Sequence, residues 1–210
     1  DLHCDCEGVV HFYTEEPCWP KMEALAHLLG SRAILLARNS GSGPIDECLS
    51  GAWWQLADAL KEAGIHAPLP QACFSTTIEL RGEADVSHDL AAKDAAAVHA
   101  FLQHIGALAT AAPVDIPAGL CQPTPLAGSE TLRAPAPGVV VFAAQVGQQM
   151  RKGDLVVEVI DPIAGQSHAV KAGVDGVFYA RIRDRYITSG GELGKIAGAV
   201  PFRTGELLGA

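Results

Sequence analysis

The 210-residue sequence has no run of about 20 apolar residues, the length a bilayer-spanning helix needs, and no signal-peptide pattern. It also has no Cys-x-x-Cys pair. Membrane insertion and secretion are therefore not expected, and the cytoplasm is the expected location. The six cysteines, at 4, 6, 18, 48, 73 and 121, are too sparse and irregular for a disulfide framework and read as reduced thiols. Positive charge is scarce: 15 Lys and Arg face 24 Asp and Glu, a net charge of −9. The densest basic cluster, Arg181-Ile-Arg-Asp-Arg185, is interrupted by an acid. No nucleic-acid partner is expected, because tracking a phosphate backbone takes a concentrated positive face. An initiating Met is missing as well, and the chain opens Asp1-Leu2-His3-Cys4-Asp5 as if inside a strand, so upstream sequence is expected.

What is present is a folded, core-forming composition, 49% hydrophobic and only 19% charged. The length allows one large domain or two small ones. Pro113, Pro117, Pro123, Pro125, Pro135 and Pro137 mark a stretch that can be neither helix interior nor central strand. This divides the chain into an α/β part at 1–112, a linker or crossover at 113–133 and an all-β part at 134–210. In the first part the pattern predicts helices at Pro20 to Leu29, Ser50 to Ala63 and Val86 to Leu108. It predicts strands at Ala33 to Ala37 and Gln71 to Leu80. Strands alternating with helices imply a largely parallel sheet.

The second part repeats itself. Ala134-Pro-Ala-Pro-Gly138-Val-Val-Val-Phe142 matches Ala172-Gly-Val-Asp-Gly176-Val-Phe-Tyr-Ala180, and Gly153-Asp-Leu155 matches Gly191-Glu-Leu193, at the same offset. Two β units too small to bury a core alone should interlock as a two-fold sandwich or barrel. With Val146-Gly-Gln-Gln-Met-Arg-Lys-Gly-Asp154 and Val174-Asp-Gly-Val177, the repeat resembles the barrel-sandwich hybrid fold of biotinyl and lipoyl domains. Those carriers hold a modified Lys at the central hairpin. Here that hairpin, Glu158 to Gln166, has none, and Lys171 lies in the following strand. A carrier role is disfavoured.

Two short motifs could carry chemistry. Asp1 and His3 share a strand face because side chains alternate, so the acid can orient an imidazole that ligates a metal. Alternatively, His3 is simply a solvated strand-end residue. Glu79 and Arg81 sit near the end of an apolar strand, where a partly buried Glu suits a general base. The competing expectation is a Glu79–Arg81 surface ion pair. Cys4 and Cys6 could in principle add soft ligands, but alternation turns them away from His3. Trp53 and Trp54 read as core plus a partly exposed ring. Asp46 and Glu47 read as part of a solvated loop, and His88 and His168 as surface residues.

In this order, and followed by a β unit, the motifs resemble the succinylglutamate desuccinylase/aspartoacylase family, whose catalytic domain is similar to zinc carboxypeptidases. In that family His-x-x-Glu supplies two zinc ligands, and a later Asp-Leu-His, matched by Asp1-Leu2-His3, supplies the third. A Glu in a Thr-x-Glu strand, matched by Thr77-Ile78-Glu79, is the base. The resemblance covers almost the whole chain. It implies one zinc ion per site and hydrolysis of an N-acyl amino acid or related small amide. His3 would be the metal ligand, Glu79 the catalytic base, and Asp1 and Arg81 supporting or substrate-facing residues. None of the eight histidines (3, 11, 27, 66, 88, 99, 104, 168) begins a His-x-x-Glu. The other ligands are therefore expected upstream of Asp1, and this chain is expected to be an inactive C-terminal portion. The alternative is a noncatalytic module that binds a partner or covers a neighbouring subunit's site. Symmetric assembly into a homo-oligomer is compatible with the composition.

Overall fold

A computed structural model describes residues 1–208. The first sheet contains five strands in the order β1-β5-β3-β4-β6: β1 (Leu2–Asp5), β3 (Val10–Glu15), β4 (Ala33–Ala37), β5 (Thr76–Gly82) and β6 (Thr124–Pro125). Three of its pairings are parallel, but β3 and β5 run antiparallel. The sheet is thus mixed, where a largely parallel one was expected.

Alternation along β3 and β4 divides the apolar side chains between two faces. Val10, Phe12 and Ile34 pack with Ile78 against α1 (Trp19–Leu29) and α3 (His88–His104), through Met22, Leu25, Leu29 and Phe101. Pro20 in the first turn pre-sets the helical backbone of α1. Gly30 ends it in the left-handed conformation, φ 69°, which favours a residue without Cβ. The opposite face presents Ala33, Leu35 and Ala37, which meet Leu126, Tyr179, Ala180 and Ala197.

Tyr179, Ala180 and Ala197 belong to one of two further sheets, which are ordered β11-β10-β8-β13 and β2-β12-β14-β7, with β9 also on β12. The strands are β2 (Glu7–Gly8), β7 (Ser129–Arg133), β8 (Gly138–Phe142), β9 (Gln149–Met150), β10 (Leu155–Asp161), β11 (Gln166–Lys171), β12 (Gly176–Arg181), β13 (Tyr186–Ile187) and β14 (Glu192–Gly198). The sequence repeat is a repeat of pairings. β8 with β10 corresponds to β12 with β14, β8 with β13 to β12 with β9, and β10 with β11 to β14 with β7. The halves exchange strands around a shared core that includes Val140, Val157, Val159, Phe178 and Ile196. Lys171 is exposed in β11.

Several boundaries differ from the sequence-based expectation. α2 spans Ile45–Glu62, starting well before Ser50. Pro44 precedes it in extended conformation, and Asp46 and Glu47 fill its first turn, where carboxylates complement the helix dipole. Asp46 is buried rather than in a solvated loop. β5 begins at Thr76 rather than Gln71, because Gln71 turns its amide onto Cys18 Sγ and Cys73 O. α3 starts after Ser87, whose hydroxyl accepts from Leu90 N at 3.2 Å. β7 lies inside the Pro-rich stretch read as linker. Among the described residues no helix is long and apolar enough to cross a membrane.

Candidate active site

The strands β1, β5 and β3 lie side by side, and their register puts His3 opposite Glu79 and Glu79 opposite His11. Residues paired in register project to the same side of a sheet. His3, Glu79 and His11 therefore form a row on the face turned toward the paired sheets, away from α1 and α3.

Each member of the row meets a different environment. His3 is exposed, and its Nε2 lies 2.9 Å from Asp1 Oδ2. The carboxylate holds the ring and leaves Nδ1 as the nitrogen to offer a metal. Glu79 is half-buried. Burial raises its carboxyl pKa and the nearby Asp5 charge adds to the rise, while His3 and Lys195 oppose it. Such a carboxylate is poised to take a proton. Its Oε2 is enclosed without a hydrogen-bond partner among the described residues. His11 is fully buried, and burial brings its pKa down to about 4 despite the opposing hydrogen bond to Val9.

Arg81 does not pair with Glu79. Its φ of 80° is in the left-handed region, and its guanidinium meets Asp94 of α3, with both side chains largely buried. The expected Glu79–Arg81 surface pair is therefore corrected: the bulged end of β5 directs Arg81 to the helix. Beyond it, a largely apolar groove of about 780 Å³ runs between β1 and α3, with His3, Leu80, Arg81 and Leu102 in its lining.

From the other side, β14 brings Lys195 toward this face. Its ammonium lies 3.3 Å from Glu192 Oε1. Burial opposes its charge, but Tyr179, Glu192 and Asp5 outweigh that and raise its pKa. His11, Asp5 and Lys195 were not singled out from sequence. His11 could have been, since Val9-Val10-His11-Phe12 places an imidazole in an otherwise apolar strand. Lys195 could not, because its nearness to Glu79 depends on how the sheets pack.

Among the described residues no group of three or more His, Cys, Asp or Glu is placed to hold a metal ion. His3 is a single donor, and a catalytic zinc site takes three protein ligands. The donors present do not by themselves complete a zinc site. Cys4 and Cys6 are exposed free thiols. Trp54 donates its indole N–H to Glu15 Oε1 at 2.6 Å and is half-buried beside Trp53. His88 is exposed and His168 half-buried.

No family model and no curated protein matches the sequence. Solved structures do match. A succinylglutamate desuccinylase/aspartoacylase family protein from Shewanella amazonensis aligns over 94% of this chain and 53% of its own, with TM-score 0.80 and 25% identity. A succinylglutamate desuccinylase/aspartoacylase from Shewanella frigidimarina aligns over 94% and 52%, with TM-score 0.79 and 25% identity. The product-bound ectoine utilization protein EutE from Ruegeria pomeroyi shares the fold at TM-score 0.66 and 16% identity, over 94% of this chain and 57% of its own. The chain thus spans about half the length of the structures it resembles.

Proposed function

From this place among succinylglutamate desuccinylase/aspartoacylase structures, we propose that the chain is the base-bearing portion of an amide-bond deacylase acting on an N-acyl amino acid or a related small amide. The observation that carries the proposal is the pairing of His3 with Glu79 on adjacent strands, with one imidazole held by Asp1 and one carboxyl raised by burial. A base of this kind takes a proton from water as that water attacks the amide carbonyl, and returns it to the departing amine. Asp1 orients His3. Arg81 anchors β5 to α3 rather than gripping substrate.

In the whole enzyme one zinc ion is proposed, with His3 as one ligand and the others contributed from outside these residues. When bound, zinc supplies Lewis acidity to the water and the carbonyl oxygen. Tight metal binding and turnover are not expected of the 210 residues alone.

The test compares the full-length parent, its Glu79→Gln variant and this chain for zinc content and hydrolysis of N-acyl amino acids. Glu79→Gln should keep the metal and lower kcat by about 10²- to 10⁴-fold, while this chain holds no stoichiometric zinc. A parent without zinc, or a Glu79→Gln variant with unchanged kcat, would overturn the proposal in favour of a noncatalytic module.

A further inference from the structure

His11 packs its ring against Tyr179, with centroids 4.8 Å apart, and against Tyr13, at 5.5 Å. Its Nδ1 lies 2.8 Å from the Val9 carbonyl oxygen. A carbonyl only accepts, so Nδ1 carries the hydrogen. Burial keeps the ring neutral near pH 7, which makes Nε2 a lone pair.

That Nε2 is enclosed without a hydrogen-bond partner among the described residues, and so is Oε2 of Glu79, directly across the β3–β5 ladder. Facing residues of an antiparallel pair have Cβ atoms about 5 Å apart. One donor between two buried acceptors on such residues satisfies both at once. The neighbouring Tyr179 hydroxyl is engaged elsewhere, 2.8 Å from Ser129 Oγ. Asp5 is an acceptor, already taking the Cys6 N–H at 2.7 Å. Lys195 is the remaining donor nearby, and its ammonium is turned to Glu192.

We propose that His11 is a positioning residue for Glu79. One bridging water that donates a hydrogen to Glu79 Oε2 and the other to His11 Nε2 fixes the plane of the ionised carboxylate and leaves Oε1 to act. The consequence for catalysis rests on Glu79 being the base, but the link between the two side chains does not.

Imidazole ¹⁵N NMR on the 210-residue protein tests the link directly. His11 is assigned by the signals lost in His11→Gln. Glu79→Ala should move the His11 Nε2 resonance toward that of a free lone pair and leave Nδ1 protonated, whereas Lys195→Met should leave both in place. An Nε2 resonance that ignores Glu79→Ala, or that moves in Lys195→Met instead, overturns the proposal. In the full-length enzyme His11→Phe should lower kcat about 10-fold or more, with KM and zinc content unchanged, and His11→Gln, which restores an acceptor, should recover part of the loss. Unchanged kcat in His11→Phe while Glu79→Gln is inactive sinks the positioning role alone. Unchanged kcat in Glu79→Gln sinks the base assignment, and the NMR result still decides the link.

Discussion

Arg81 sits in a backbone conformation that L side chains rarely adopt, and the ion pair to Asp94 keeps it there. Arg81→Ala loses the pair and keeps the strain, whereas Arg81→Gly loses the pair and relieves it. Urea unfolding should therefore find the Gly variant more stable than the Ala variant by about 1 kcal/mol. Asp94→Ala leaves a guanidinium largely enclosed without its counter-charge, and should cost about 3 kcal/mol. His11 sets a pH dependence of its own. Its folded pKa of about 4 lies below the ordinary 6.5, so the unfolded chain binds the proton more readily. Stability from this residue is complete above 6.5 and is lost as pH falls toward 4. His11→Gln should flatten that part of the curve in urea titrations at stepped pH. Glu79, raised by burial, acts with the opposite sign, favouring the fold toward low pH.

At the scale of elements, the repeat is maintained by glycines with no room for a side chain. Gly138 and Gly176 occupy the same position of the repeat; a Cβ at Gly138 would run into the Ile160 carbonyl, and one at Gly176 into that of Ala197. Neither glycine has a positive φ, so what excludes a side chain is the close approach of the neighbouring strand. Gly176→Ala should cost about 1–3 kcal/mol as an overpacking change, read from the urea midpoint. The three helices and β4 followed from periodicity and punctuation, as with Pro20 and Gly30 around α1, whereas β3, between β5 and β4, was not among the expected strands. Boundaries did not follow where a side chain competes with the ladder, as Gln71 does before β5, or where a cap such as Ser87 decides the start.

At the scale of the molecule, the basic cluster that the composition sets aside as useless for nucleic acid is engaged in ion pairs with the segments that follow β1 and β5. Arg181 Nε reaches Glu7 Oε2 at 2.6 Å, Arg185 Nη2 reaches Glu7 Oε1 at 2.8 Å, and Arg183 pairs with Glu83. Glu7 follows the strand of His3, and Glu83 follows the strand of Glu79. The end of β12 and the loop that follows it thus clamp both segments that frame the candidate site. Burial alone would raise the Glu7 pKa, but the hydrogen bonds from Arg181 and Arg185 outweigh it and carry the pKa below the ordinary 4.5. This contribution is present above the unfolded value and is lost as pH falls through the lower folded value. Glu7→Gln should remove that part of the acid sensitivity, and added salt should weaken the wild-type clamp more than the variant's.

The sequence by itself determined what local patterning can encode: the presence of the three helices, the strand at Ala33–Ala37, the offset of the β repeat, and the Asp-Leu-His and Thr-x-Glu segments that resemble a deacylase family. Period and punctuation are properties of neighbouring residues, so they can be read along the chain. The tertiary structure decided which distant residues meet. Only strand register sets Glu79 between His3 and His11, only a backbone at positive φ sends Arg81 to Asp94, and only packing of sheet on sheet brings Lys195 over the row. Those contacts arise from side-chain packing and strand pairing between segments far apart in the chain, which no short stretch of sequence contains.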